Sequence, residues 1–238
     1  MNKFNCSPKL GSEFTVPTRN ELLPIIYEIS PEIVDTIIGT YELVLMLGTH
    51  LGKKFRVHIA HVENPLIVRN ELDANGVYDQ EEDERGKIPI TLYLITNPVN
   101  RTLLWDQEMF DRVAKRIADC LVHELTHLHQ ARARHFLNVS AHTTGQETDE
   151  EEAQQYLSEF DEIDAYAHNI AEEILDLEGA VDLHGCLEHP SDIRVDVSPN
   201  LWGYKNTFKK YLNHPVIKRL LKKIYKNYQI LAKKDLRY

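Results

Sequence analysis

From about Asp106 to His135 the chain repeats apolar residues at helical spacing. Taking about 100° per residue with His123 as zero, Phe110, Val113, Ile117, Leu121, Leu128 and Ala131 fall between about 80° and 160°. A helix of that length with one apolar stripe must have other elements laid along it, which makes it the spine of the fold. Glu124, at about 100°, stands inside the stripe. An unpaired carboxylate facing a core costs several kcal/mol, so Glu124 needs a partner: a buried arginine, or a cation with its water. His123 and His127, at about 0° and 40°, border the same stripe, where a cleft between two layers can hold an ion.

The run His123-Glu124-Leu125-Thr126-His127 places two imidazoles one helical turn apart, so both reach one ion while Glu124 faces the adjacent sector. This is the zincin pattern. A zinc site that keeps one position open for water needs a third protein ligand. The metzincin continuation does not supply it, because Gln130 stands where its glycine would be and Ala133 where its third histidine would be. A second helix, expected over about Ser158 to Leu177 with Ser158 and Asp161 as a capping box, sets several carboxylates beside Phe160, Ile163, Tyr166, Ala167 and Ile170. If Ser158 caps it, Glu159 falls in the first turn, where the helix dipole favours an acid with or without a metal. Glu162 lies one turn in, level with Tyr166 and ahead of the small Ala165, so Glu162 is the first choice of ligand and Glu159 the second.

At these residues the chain resembles the gluzincins, metallopeptidases in which a glutamate from a helix downstream of the paired histidines completes the zinc site and is followed three residues later by a small residue, as in Glu162-Ile-Asp-Ala165. More narrowly, Leu121 to Gln130 with Tyr156 to Ala167, and the closing Asn213 to Lys222, are similar to uncharacterised phage-encoded zinc-peptidase-like proteins. The resemblance covers the second half of the chain. It departs from the pattern at His129, where a hydrophobic residue is usual, and at Phe160-Asp161, where a proline is frequent. It implies an α+β, zincin-like fold, with a small N-terminal sheet packed on a long active-site helix and a mainly helical second half. It further implies zinc as cofactor, held by His123, His127 and Glu162, and hydrolysis of peptide bonds by a zinc-activated water with Glu124 as general base. The partner is then a protein or peptide substrate. The alternatives are an inert zincin-like structural or assembly protein, such as a phage virion component, and a regulatory peptidase with one protein target. Tyr156, Tyr166, His168, His184 and His189 are of the right type to steady the oxyanion.

Elsewhere, Pro31 to about Leu47 reads as an early core helix, and Phe55 to Val62 and Ile88 to Ile95 read as strands. Pro89 puts the second of these at an edge or a strand start, and an edge strand from Ile90 to Ile95 could take a substrate peptide as an extra strand. Asp73 to Gly86 is polar and carries Asn75-Gly76, which suggests an exposed loop. Cys6, Cys120 and Cys186 are scattered singly, as free thiols in a reducing compartment are. No apolar run is long enough to span a bilayer and no signal-peptide pattern opens the chain, so the expected location is cytoplasmic, or in a virion if phage-encoded.

Charge divides the chain unevenly. Residues 199–238 hold 11 Lys or Arg against the single acid Asp235, while the first 198 hold 16 basic against 36 acidic groups. The expected organisation is a metallopeptidase domain over 1–198 and a basic amphipathic tail over 199–238. From His214-Pro215 to about Lys234, Ile217, Leu220, Leu221, Ile224, Tyr228 and Leu231 recur at helical spacing, with lysines mainly on other faces. Such a helix docks on the acidic body, or offers an anionic partner such as a virion component a contact surface. No nucleic-acid-binding motif accompanies it.

Overall fold

In the computed structural model, which describes residues 16–137, 149–177, 195, 197–209 and 213–235, the spine is a helix over Gln107–Ala133 (α5). Before it come α1 (Arg19–Tyr27), α2 (Ser30–Ile33), β1 (Ile37–Gly39), α3 (Thr40–Phe55), β2 (Val57–Glu63), β3 (Leu72–Tyr78), α4 (Gln80–Glu84), β4 (Ile90–Thr96) and β5 (Thr102–Leu104). After it come α6 (Asp149–Ser158), α7 (Phe160–Leu175), α8 (Pro199–Thr207) and α9 (Pro215–Asp235). The fold is mixed α+β, with its strands confined to the first half.

Asp106 caps α5 by accepting from the Met109 N–H at 2.7 Å, satisfying a donor that the first turn leaves without a partner. Every residue of the apolar stripe read from the sequence is buried. One core joins α1, α3, the sheet and α5 through residues such as Ile26, Leu47, Leu92 and Leu121. A second joins α7, α8 and α9 through Ile163, Ile170, Tyr204, Ile217 and Ile224. The last helix thus lays its apolar side on α7 and leaves Lys218, Lys222, Lys226 and Lys233 exposed. Among the described residues no helix is long and apolar enough to cross a membrane.

Four expectations change. The region from Asp73 to Gly86 is not a loop: it supplies strand β3 and the short helix α4, and Asn75-Gly76 pairs with Tyr93 and Leu92 rather than turning. Its side chains are polar because the strand is half exposed, and pairing with β4 and packing on α5 override their weak strand propensity. The Ile90 to Ile95 strand is central, not an edge. The sheet order is β2-β4-β3, with β2 parallel and β3 antiparallel to β4, so the edges are β2 and β3. Pro89 precedes the first paired residue and removes no ladder donor, while its carbonyl accepts from the Asp79 N–H at 2.7 Å.

The helix expected over Pro31 to Leu47 is broken. Asp35 takes a left-handed conformation (φ 63°), and Ile37 to Gly39 then pair with Thr102 to Leu104 before α3 begins. The second-half helix is two helices, since Glu159 has extended backbone (φ −63°, ψ 144°) at the start of α7. Ser158 therefore ends α6, and its hydroxyl donates to the Gln154 carbonyl at 2.5 Å instead of capping α7.

Candidate metal centre

α5 presents His123, Glu124 and His127 on its buried side, and the first turn of α7 crosses them with Glu162. Ala165, fully buried, has no side chain beyond Cβ to hold the two helices apart. His123 Nε2 and His127 Nε2 lie 3.0 Å apart. Glu162 Oε2 is 3.3 Å from His123 Nε2, and Glu162 Oε1 is 3.2 Å from His127 Nε2. Among the described residues, these three form the group whose ligand atoms converge, all within 4.8 Å of one another. Glu159 is outside that group, at the N-cap of α7.

The donor set fits a small divalent cation. A tetrahedron with bonds of ~2.0–2.1 Å has edges of about 3.4 Å, close to the three separations here. Gln130 orients one ligand: its amide nitrogen donates to the Asp161 carbonyl at 3.3 Å, which turns its oxygen toward His127 Nδ1 at 3.2 Å. In the neutral ring Nδ1 therefore carries the proton, and the lone pair of His127 lies on Nε2, facing the group. Two imidazole nitrogens and a carboxylate brought this close repel unless a cation or proton sits among them. Glu162 Oε2 is shielded from solvent and, apart from His123 Nε2 at 3.3 Å, has no polar partner among the described residues, which leaves an acceptor that a metal would satisfy.

Burial alone would push the Glu162 carboxyl up, but the imidazoles of His123 and His127 outweigh it and hold the group at about 2. His127 shows the other side of the same pairing: burial disfavours its charged form, yet the hydrogen bond and charge of Glu162 raise it. Glu124 is raised by burial, against the opposing pull of His123 and His127.

Two cavities flank Glu124, of about 410 Å³ on the side of His127 and Arg134 and about 390 Å³ on the side of His123 and Arg116. Gly76, Val77, Glu124 and Tyr156 line both, so they form the waist of one cleft along β3. A Cβ on Gly76 would come within 2.6 Å of Glu124 Cγ and 2.9 Å of its Oε1, so glycine is what allows the strand to close over the carboxylate. The Tyr78 backbone N–H, close to the same carboxylate, works against the effect of burial and favours its charged form.

The five residues suggested for the oxyanion separate. Tyr166 packs edge-on to the His123 ring, with centroids 4.6 Å apart. Tyr156 lies beside Tyr166 and Glu162, and burial together with their charge raises its phenol well above the ordinary value. His168 lies further along α7, 3.8 Å from Glu172 Oε1. His184 and His189, like Cys6 and Cys186, lie outside the described residues.

Periodicity and motif spacing do not show what holds α5 and α7 in register. Arg134 grips Asp161 with both terminal nitrogens, at 2.6 and 2.5 Å. At the other end the buried Arg19 of α1 reaches Asp119 at 2.5 Å and Asp176 at 2.5 Å, while its backbone N–H donates to Glu172 Oε1 at 2.7 Å. The histidines and Glu162 sit between these two arginine clamps. Burial raises Glu172 to about 8 and Glu173 to about 7, with the nearby Asp119 carboxylate adding to the effect.

Compared with protein-family models, with curated proteins and with solved structures, the chain gives no match.

Proposed function

We propose that the chain is a zincin-like, gluzincin-type zinc metallopeptidase in which His123, His127 and Glu162 hold the ion and Glu124 is the general base. The observation that carries this reading is the convergence of ligand atoms from His123, His127 and Glu162, beside a second carboxylate, Glu124, at the waist of an open cleft. A structural metal site has no need of that carboxylate or that cleft. A bound zinc ion lowers the pKa of a coordinated water toward ~7 and polarises the substrate carbonyl.

The chain's own residues supply the rest. Glu124 accepts the proton of the attacking water and returns it to the leaving amine. Tyr156, at the waist with its phenolic proton retained, donates to the developing oxyanion. Among the described residues no strand pairs with the outer edge of β3, and Gly76 and Val77 lie at the cleft, so an extended peptide adds along β3 rather than along β4.

Metal analysis of the purified protein is expected to find about one zinc per chain, with hydrolysis of a quenched peptide mixture lost to a chelator and restored by zinc. A protein that takes up no zinc from excess overturns the reading. A zinc protein that cleaves no peptide belongs with the inert structural alternative. Gly76→Ala tests the waist: its methyl group displaces the Glu124 carboxylate or the strand, and a misplacement of about 1 Å costs about 10²-fold in rate. The expected result is that loss in hydrolysis with zinc retained; an unchanged rate removes β3 from the site.

A further inference from the structure

The cavity on the His123 side holds a cation that the proposed mechanism does not use. Arg116 lies two turns before His123 on α5 and lines that cavity together with His123 and Glu124. Its Nε donates to two acceptors on β3, the Asp73 carboxylate at 3.1 Å and the Ala74 carbonyl at 3.0 Å. These bonds fix the plane of the guanidinium by one edge. The two terminal nitrogens have no partner among the described residues, although the side chain is only 42% exposed.

A guanidinium pinned at Nε with its fork free is a preorganised donor for a planar group with two oxygens. Asp73 takes only the Nε edge and leaves the fork open. Asp119 shares the cavity but is held by Arg19 at 2.5 Å, which offsets its charge. Asn75, on the β3 side, has its oxygen engaged by the Gly76 N–H at 2.9 Å, and its amide nitrogen has no partner among the described residues. These donors, open to water in the free protein, are available to an acceptor that enters this side of the cleft.

Resting on the peptidase reading, we infer that Arg116 is a specificity-determining residue that receives a substrate carboxylate in this cavity, next to the scissile bond. The carboxylate comes either from an Asp or Glu side chain or from the C-terminus of the peptide. Both bring the same two oxygens to the same fork.

Binding to the zinc-loaded Glu124→Gln protein tests this without hydrolysis. Fluorescence anisotropy compares end-blocked hexapeptides with Glu at each position in turn, the same peptides with Gln, and a Gln peptide with a free C-terminal carboxylate. The expected result is a carboxylate peptide bound at least about tenfold more tightly than its neutral counterpart, as a charge-assisted pair gives. Adding Arg116→Gln is expected to remove that difference and Arg116→Lys to keep part of it. A gain confined to the free C-terminus identifies the terminal carboxylate; a gain at one Glu position identifies the side chain. Equal affinities throughout, no binding, or a preference that survives Arg116→Gln overturns the inference. Hydrolysis of neutral peptides by the wild-type protein is a separate measurement, so the peptidase reading stands or falls apart from this one.

Discussion

Glu124→Gln is expected to keep its zinc and to lose about 10²–10⁴-fold in peptide hydrolysis, the range that a positioned general base contributes. The amide matches the carboxylate in shape, so the helix and the two histidines keep their places. Its position, 6% exposed and 2.9 Å from where a Cβ on Gly76 would stand, leaves little room for another group to take over. What the amide lacks is a site that accepts the proton of the attacking water. Zinc content and hydrolysis rate, measured on the same preparation, separate holding the ion from using it. A variant with wild-type activity would remove Glu124 from the mechanism.

The second large effect concerns the ligands. Glu162→Ala is expected to weaken zinc binding by at least about 100-fold, since losing even a group that only orients a ligand costs 10–100-fold. His123→Ala and His127→Ala are expected to do the same. Glu159→Ala is the control: Glu159 is three residues away at the N-cap of α7, makes no side-chain cap bond there and is not among the converging atoms. Competition with a chromophoric chelator measures all four variants. If Glu159→Ala costs more than Glu162→Ala, the third ligand is misassigned while the two histidines keep their role.

The long helix and its motif were legible because their signals are local. The 3.6-residue period of α5 and the four-residue spacing of His123 and His127 depend on residues within a few turns. The order of Glu162 over Glu159 comes from the same local spacing, but the cap it assumes lies one residue further on. Ser158 does not begin α7; Glu159 occupies the cap, and α7 starts only at Phe160. Strand β3 was not legible, because Asn75-Gly76 in a polar stretch has the signature of a turn, and only the neighbouring β4 and α5 make it a strand. Gly76 as the residue that lets a strand approach Glu124 becomes readable only once that strand is known. The arginine clamps have no local signature at all: Arg19 meets Asp119 100 residues later, a pairing that folding alone brings about.

The clamp at Arg19 also sets an order of events during synthesis. Arg19 emerges early, but Asp176 follows 157 residues behind it, and Glu162 is made only shortly before Asp176. A nascent chain that has exposed α5 can offer two imidazoles to a metal but neither the third ligand nor the closed clamp. Closing so long a loop is slow compared with forming the helices it joins. On the proposed reading, committed uptake of zinc would wait until α7 has been made and docked on α5, so the centre would stay incomplete while much of the chain is still unfolded.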